Sequence, residues 1–309
     1  MKLSIVATLY HSENYINEFY ERSTAVAKQF AVDDYELILV NDGSADNSLN
    51  LAVALSENDP HVVVIDLSRN FGHHNAMRAG LEHSRGDFVF LIDSDLEEEP
   101  EWLPDFYQQM VEDQADVIYG TQEKRKGGWF ERYSGALYYK ILNWLLSIKH
   151  PKNITTARLM TRRYVDALMR YKEIETIISC LWVITGFKQN AQTVKKHSKN
   201  TSSYGLFKKF NYFVNTITSF SAAPLKMIFF FGVFMFLITM SYALYLTIGR
   251  FFMYKHVEGW TSIMVSIWVL GGMIISFIGI IGIYLSKIFM ESKERPYVII
   301  RKIYGRSDG

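Results

Sequence analysis

Two aspartates one residue apart, Asp93-Ser94-Asp95, stand directly after the apolar run Phe88 to Ile92. Carboxylates this close repel each other unless a cation or a set of donors offsets the charge. A hard divalent ion does so: Mg2+ or Mn2+ takes one or two protein carboxylates and completes its shell with substrate phosphate oxygens and water. By itself an Asp-x-Asp pair is also a frequent accident of sequence, and in a turn its two side chains need not point the same way. The acidic run Glu97 to Glu99, ahead of Pro100, reads as a helix start, since acids favour a first helical turn.

Two further polar groups carry candidate chemistry. Asn41-Asp42-Gly43-Ser44 follows another apolar run, with Asp46 placed to cap the next helix. Tight-turn and capping preferences explain that pattern on their own, while a carboxylate there is also able to accept hydrogen bonds from a ribose or a uracil. Arg69-Asn70-Phe71-Gly72-His73-His74 leads into a helix expected near Asn75. Adjacent histidines rarely ligate one ion together, and no Cys or Glu spacing completes a zinc site. Hydrogen bonding to a ligand, or loop packing, is the expectation.

The elements that must position these groups are legible as an alternation. Apolar, β-branched runs recur at Leu3 to Leu9, Leu37 to Val40, Val62 to Leu67, Phe88 to Ile92 and Val117 to Tyr119, each separated by a segment of helical character. Such an alternation predicts an α/β fold with a mostly parallel sheet covered by helices. Ligands bind at the carboxyl ends of strands in sheets of this kind. The segments 10–13, 41–44, 69–74 and 93–95 all fall at those ends.

Composition narrows the class. The 309 residues carry a net charge of +1, which gives no reason to expect a nucleic-acid partner. Cys180 is the only cysteine, so no intrachain disulfide is available and a reducing compartment fits. The first ten residues lead straight into a strand-like pattern, and no cleaved targeting segment is expected. Met227 to Ile248 and Trp260 to Leu285 contain no charged residue and exceed the roughly 20 residues that cross a bilayer. They read as two transmembrane helices. Lys208, Lys209 and Lys226 precede the first, and Lys287, Lys293, Arg295, Arg301, Lys302 and Arg306 follow the second. That bias predicts both termini and the soluble domain on the cytoplasmic side of the membrane.

Taken in order, these residues resemble family 2 glycosyltransferases, and within them the polyprenyl-phosphate subgroup that includes dolichol-phosphate mannose synthases and bactoprenol glucosyltransferases. Thr8 to Glu13 stands where the family has Pro-x-Tyr-Asn-Glu-Glu, and Asn41 to Ser44 where it has Asp-Asp-Gly-Ser. Asn70-Phe71-Gly72, Ala79-Gly80-Leu81, Gly86-Asp87, Asp93-Ser94-Asp95-Leu96 and Glu99-Pro100-Glu101 follow in register. Arg158-Leu159-Met160 with Arg162, Gly186-Phe187, Ser203-Tyr204, Gly279 to Leu285 and Lys293 to Tyr297 continue the match to the tail.

The resemblance implies a GT-A domain over residues 1–205, a juxtamembrane helix over 206–226, a transmembrane hairpin over 227–290 and a cytoplasmic tail over 291–309. It implies an inverting transfer of a hexose from a nucleotide sugar, UDP-glucose as first choice, to undecaprenyl phosphate, serving lipopolysaccharide (O-antigen) or another cell-surface glycan. Galactose, N-acetylglucosamine and mannose stay open as the sugar, as does self-association into a homo-oligomer. Thr8, Tyr10, Glu13, Asp42, Asn70, Gly72, His73 and Arg125 are the implied donor-binding residues. Asp93 is placed beside the ribose, and Asp95 holds Mg2+ or Mn2+ on the diphosphate. Arg158 is implied in catalysis, and Arg158, Arg162, Lys196, Lys199, Ser203 and Tyr204 at the acceptor phosphate.

Some positions depart from the family pattern. Thr156 stands where an Asp commonly precedes Phe-Arg-Leu, Thr8 replaces Pro, His11 replaces Asn and Gln122 replaces Arg. A phosphate monoester is largely a dianion at pH 7, so the missing Asp is not required to deprotonate the attacking group. Trp129 to Leu146 and Leu206 to Phe220 mix aromatic and basic residues as interfacial helices do. A processive synthase is disfavoured by the lack of Gln-x-x-Arg-Trp, and a transporter by the lack of intramembrane charge. A non-catalytic GT-A-like binding protein is the remaining alternative.

Overall fold

The structure is a computed structural model that describes residues 2–122, 151, 153–173, 177–196, 214, 217–219, 221–253 and 259–305. Eight strands among these residues form one sheet in the order β7-β5-β6-β4-β1-β2-β3-β8. They are β1 (Leu3–Leu9), β2 (Tyr35–Asn41), β3 (Val62–Leu67), β4 (Phe88–Asp93), β5 (Val117–Gln122), β6 (Ile154–Thr161), β7 (Gln189–Val194) and β8 (Ile300–Tyr304). The helices on this sheet are α1 (Ile16–Ala31), α2 (Ser48–Asn58), α3 (His73–His83), α4 (Leu103–Asp113), α5 (Arg162–Leu168) and α6 (Ile178–Ile184).

Strands β1, β2 and β3 are buried along their whole length because helices cover both faces, which is why they read as continuous apolar runs rather than as an alternation. The four strands β4-β1-β2-β3 are mutually parallel, so their carboxyl ends, and the loops that follow them, lie along one edge. Register aligns Thr8 with Asp93 and Leu9 with Asn41, setting the first, second and fourth loops side by side. The α3 helix packs close here. A Cβ on Gly80 would lie 2.4 Å from Val6 Cγ1, so that contact admits no side chain.

Two strands depart from the parallel expectation. The β6 strand runs antiparallel to both β4 and β5, and β8 antiparallel to β3. The fold remains α/β with a mostly parallel sheet, but its flanks are mixed.

Chain contacts divide the protein into two compact units, one made of residues 1–140, 148–203 and 295–309, the other of 141–147 and 204–294. Within the second unit, α7 (Ala223–Met253) and α8 (Trp260–Ser292) contain the stretches Ala223–Tyr242 and Ser266–Ser292, each long and apolar enough to span a bilayer. Phe229, Phe230, Trp268 and Ile275 are among many large apolar side chains that project outward from these helices. Both helices extend beyond the charge-free runs Met227 to Ile248 and Trp260 to Leu285. Tyr284 donates to the Ser221 carbonyl at 2.7 Å and Lys287 to Ser219 Oγ at 2.8 Å, tying the end of α8 to the approach to α7.

Candidate active site

The four loops at the carboxyl edge are joined by short polar contacts. Ser12, buried, accepts from the Tyr10 amide at 3.1 Å, and its own amide donates to Ser48 Oγ at 2.9 Å. Its hydroxyl also lies 3.1 Å from Ser94 Oγ, while Ser94 donates to the Thr8 carbonyl at 2.8 Å. The first loop is thereby fixed to the acidic turn. Glu13 accepts from the Asn47 amide at 3.0 Å and its amide donates to Asp46 Oδ2 at 3.2 Å, so these two acids pin the first loop to the second. Asp46 also accepts from Ser44 Oγ and from the Ser48 amide at the start of α2. These hydrogen bonds outweigh the burial cost and hold its carboxyl down at about 2. Tyr10, 53% exposed, packs edge-on to His11 at the outer rim.

Asp42 is buried and accepts two backbone hydrogen bonds, from Phe71 at 2.7 Å and Gly72 at 3.1 Å. Burial raises its pKa, with those two amides opposing. Gly43 explains why the turn is a glycine: its φ is +62°, and an added Cβ would lie 2.4 Å from the Asn70 nitrogen. The second and third loops are therefore interlocked, with Asp42 at the junction. Asn70 accepts from the Gly72 amide at 3.1 Å, and Gly72 ends the loop at φ 92° before α3 begins at His73, two residues earlier than Asn75.

His73 bridges the third loop to the acidic turn. Its Nδ1 lies 3.0 Å from Thr8 Oγ1 and its Nε2 3.3 Å from Asp93 Oδ1. Burial would lower the imidazole pKa, but the adjoining Asp93 carboxylate outweighs it and holds the ring above its ordinary value. Asp93 is shifted the other way: burial disfavours its charge, yet His73, and beyond it Lys196, keep it below the ordinary carboxylate range. Asp95 is raised, first by burial and then by the charge of Asp93.

Glu98 is the side chain that sequence reading missed. Instead of a solvated helix start, the acidic run turns it fully inward, while a 3-10 turn at Pro100–Trp102 leads into α4. Glu98 Oε1 accepts from the Thr156 amide at 2.9 Å and from Lys196 Nζ at 3.5 Å. Burial, reinforced by Asp93, pushes its carboxyl up to about 7. Lys196 also lies 3.3 Å from Glu97 Oε2, and the surrounding carboxylates hold its ammonium above the ordinary value against burial.

A divalent cation fits this donor set. Glu98 Oε2 is a buried oxygen with no hydrogen-bond partner among the described residues, Asp93 Oδ1 meets only the His73 ring at 3.3 Å, and Asp95 beside them is a carboxyl whose charge is strained by burial and by Asp93. Hard oxygen donors of this type suit Mg2+ or Mn2+. Among the described residues no group of three His, Cys, Asp or Glu side chains forms a cage. Such ions are held by one or two carboxylates when substrate phosphates complete the shell.

Arg158 pairs with Leu91 in the middle of β4 and is enclosed by protein. Its guanidinium donates to the Thr156 and Thr155 carbonyls at 3.2 and 3.3 Å and stacks on the Trp182 ring, with burial pushing its pKa down to about 9. Arg162, expected beside it at the acceptor phosphate, lies apart from it. Because β6 runs antiparallel to β4, Arg162 falls at the opposite edge, its amide bonded to the Asp87 carbonyl at 2.8 Å. Six residues of β4 separate that point from Asp93, about 20 Å at the rise of a strand. The Arg162 side chain serves Gly86, Ser84 and Asp166 there. Arg125, Lys199, Ser203 and Tyr204 lie outside the described residues, as do Trp129 to Leu146 and nearly all of Leu206 to Phe220.

A parallel sheet whose carboxyl edge gathers an Asp-x-Asp turn, a buried loop carboxylate and hard-ion donors defines the GT-A class of α/β proteins. The match to glycosyl transferase family 2 spans residues 4–169, more than half of the chain. The chain belongs to that family. A Mycobacterium tuberculosis (strain CDC 1551 / Oshkosh) protein, whose name marks glycosyltransferase activity as unproven, is 48% identical over 99% of this chain and 89% of its own length. The bactoprenol glucosyl transferase of Shigella phage SfX is 30% identical over 97% of this chain and 99% of its own. Among solved structures, Staphylococcus aureus TarS residues 1–349 in complex with UDP-GlcNAc matches with a TM-score of 0.47 and 19% identity, over 71% of this chain and 66% of that one.

Proposed function

We propose that this protein is an inverting, metal-dependent glycosyltransferase that moves a hexose from a UDP-sugar, with glucose the first choice, to undecaprenyl phosphate at the cytoplasmic face of a bacterial inner membrane, for modification of lipopolysaccharide or another surface glycan. The observation that carries this reading is the likeness to a bactoprenol glucosyl transferase over nearly the whole of both chains, the two long apolar helices included. Those helices serve as a transmembrane hairpin. Lys226 before the first charge-free run and Lys287, Lys293 and Arg295 after the second support a cytoplasmic site.

In this reading the interlocked second and third loops receive the nucleoside. Asp42 presents its carboxylate there, and Thr8, Tyr10, Glu13, Asn70, Gly72 and His73 shape the surrounding wall. Asp93 faces the ribose. Asp95 holds Mg2+ or Mn2+, which offsets the charge of the diphosphate as it departs. Lys196, with Glu97, Glu98, Asp93 and Asp95 around it, lends a positive charge toward the acceptor phosphate, and Arg158 contributes a fixed one from the interior. Arg125, Lys199, Ser203 and Tyr204 complete the phosphate contacts.

A lipid phosphate oxygen attacks the anomeric carbon from the face opposite the nucleotide. A new carbon–oxygen bond forms as the bond to the diphosphate breaks, and the nucleoside diphosphate leaves with the electron pair. The attacking dianion needs no base, which accommodates Thr156 in place of the family Asp.

The test uses full-length protein in detergent with undecaprenyl phosphate, Mn2+ or Mg2+ and a panel of UDP-sugars. Lipid-linked sugar formed from one donor, and lost in Asp95→Ala, is the expected result. Absence of product with every donor, together with absence of UDP binding, would overturn the reading in favour of a non-catalytic domain.

A further inference from the structure

The chain returns to the sheet after its two apolar helices, and what it brings there is a cation aimed at the foundations of the second and third loops. Strand β8 pairs antiparallel with β3, with Asp66 opposite Lys302 and Leu67 opposite Ile300, the register slipping between them. Past that slip the Ser68 amide donates to the Ile299 carbonyl at 2.8 Å. Arg301 lies between these two attachments. Its Nη1 donates to Asp66 Oδ2 at 3.0 Å and its Nη2 to the Ser68 carbonyl at 2.7 Å.

Asp66 is 1% exposed and uses its other oxygen as well, accepting from Asn41 Nδ2 at 2.8 Å. Asn41, also buried, accepts in turn from the Ser44 amide at 3.3 Å. One guanidinium therefore reaches both loops at once. Through Asp66 and Asn41 it fixes the base of segment 41–44, and through the Ser68 carbonyl it fixes the residue from which segment 69–74 departs. Those segments are the two whose contact depends on Asp42 accepting from Phe71 and Gly72, and on Gly43 lying against the backbone of Asn70.

We infer that Arg301, in the segment after the second apolar helix, is a positioning residue for nucleotide binding: it clamps the second and third loops into the geometry that receives the donor. The inference rests on the proposal that these loops bind the nucleoside. A buried carboxylate deprived of the guanidinium that pairs with it is left with an uncompensated charge, and the strand ends around it must shift to admit water. Arg301 touches no reacting group, so its loss is expressed in donor affinity rather than in chemistry. A lysine at this position restores the charge but not the two-armed reach, since an ammonium is a point donor.

The experiment compares full-length wild type, Arg301→Ala, Arg301→Lys and Lys302→Ala in detergent. Lys302 is the neighbour on β8 whose ammonium lies over the Tyr304 ring instead, and it serves as the control. Two quantities are read: UDP affinity with Mn2+ by calorimetry, and hydrogen exchange at the Ser44, Phe71 and Gly72 amides without nucleotide. Arg301→Ala is expected to weaken UDP binding about tenfold, equivalent to about 1.4 kcal/mol, and to speed exchange at those amides, while α4 amides stay as protected as in wild type. Arg301→Lys should recover part of the affinity and Lys302→Ala should match wild type. Unchanged UDP affinity and unchanged exchange in Arg301→Ala would overturn the clamp while leaving the donor assignment intact. Faster exchange everywhere, α4 included, would reduce Arg301 to a general stability contact and also overturn it. Wild type that binds no UDP would overturn the donor assignment and, with it, this role for Arg301.

Discussion

Substituting Glu98 by Gln should make the protein more stable at alkaline pH, although it deletes a group that contacts a lysine. The carboxyl is fully buried and its pKa is raised from an ordinary 4.5 to about 7, chiefly by burial and secondarily by Asp93, against the opposing charge of Lys196. A pKa raised on folding means the folded state holds its proton more tightly than the unfolded chain. Stability from this group is therefore fully present below pH 4.5, and is lost as pH rises toward and through 7. At about 1.4 kcal/mol per pH unit the loss approaches about 3 kcal/mol once the group is ionised. Glutamine keeps the acceptor oxygen for the Thr156 amide and cannot ionise, so its stability should not follow this slope. Part of the gain is offset because Lys196 then shares one carboxylate fewer. The assay is thermal unfolding of full-length protein in detergent with chelator, followed by near-UV circular dichroism from pH 5 to 8. Wild type should lose melting temperature across that window while Glu98→Gln stays flatter, the curves separating toward pH 8. Parallel curves, or a variant that falls faster, would refute the assignment of a burial-strained carboxyl at this position.

Two other substitutions test the packing of the site. Asp42→Asn turns one acceptor into a donor facing the Phe71 and Gly72 amides, and should weaken UDP binding at least tenfold with a melting temperature lowered by a few degrees, read by calorimetry and unfolding together. Gly80→Ala drives a methyl into Val6 and Val40 and should destabilise by about 1–3 kcal/mol, measured by denaturant unfolding, since overfilled interiors force side chains off their rotamers.

How much of this was legible depended on what each segment faces. The β1 and β3 strands are buried on both faces and were readable to the residue as Leu3 to Leu9 and Val62 to Leu67. The β7 strand, Gln189–Val194, is polar and partly exposed, and β6 carries Arg158 in its interior, so neither shows the apolar pattern that marks a strand. The acidic turn and Asp42 could be found because turn residues at strand ends have distinctive chemistry. Glu98 could not, because three consecutive glutamates before a proline carry the same signature whether the middle one faces water or the core. The separation of Arg162 from Arg158 was not legible for a different reason: spacing along a chain says nothing of strand direction, and four residues along the antiparallel β6 carry the chain away from the loop edge.

The place of β8 in the sheet imposes an order on biosynthesis. The strand that covers the β3 edge leaves the ribosome only after both apolar helices, so until then the nascent domain presents an open edge with unpaired backbone groups. Open edges template pairing between chains. A recombinant fragment ended before α7 to improve solubility keeps that edge permanently uncovered, and so exchanges one route to aggregation for another. Supplying residues 295–309 on a short linker in place of the helices is the truncation that respects the sheet.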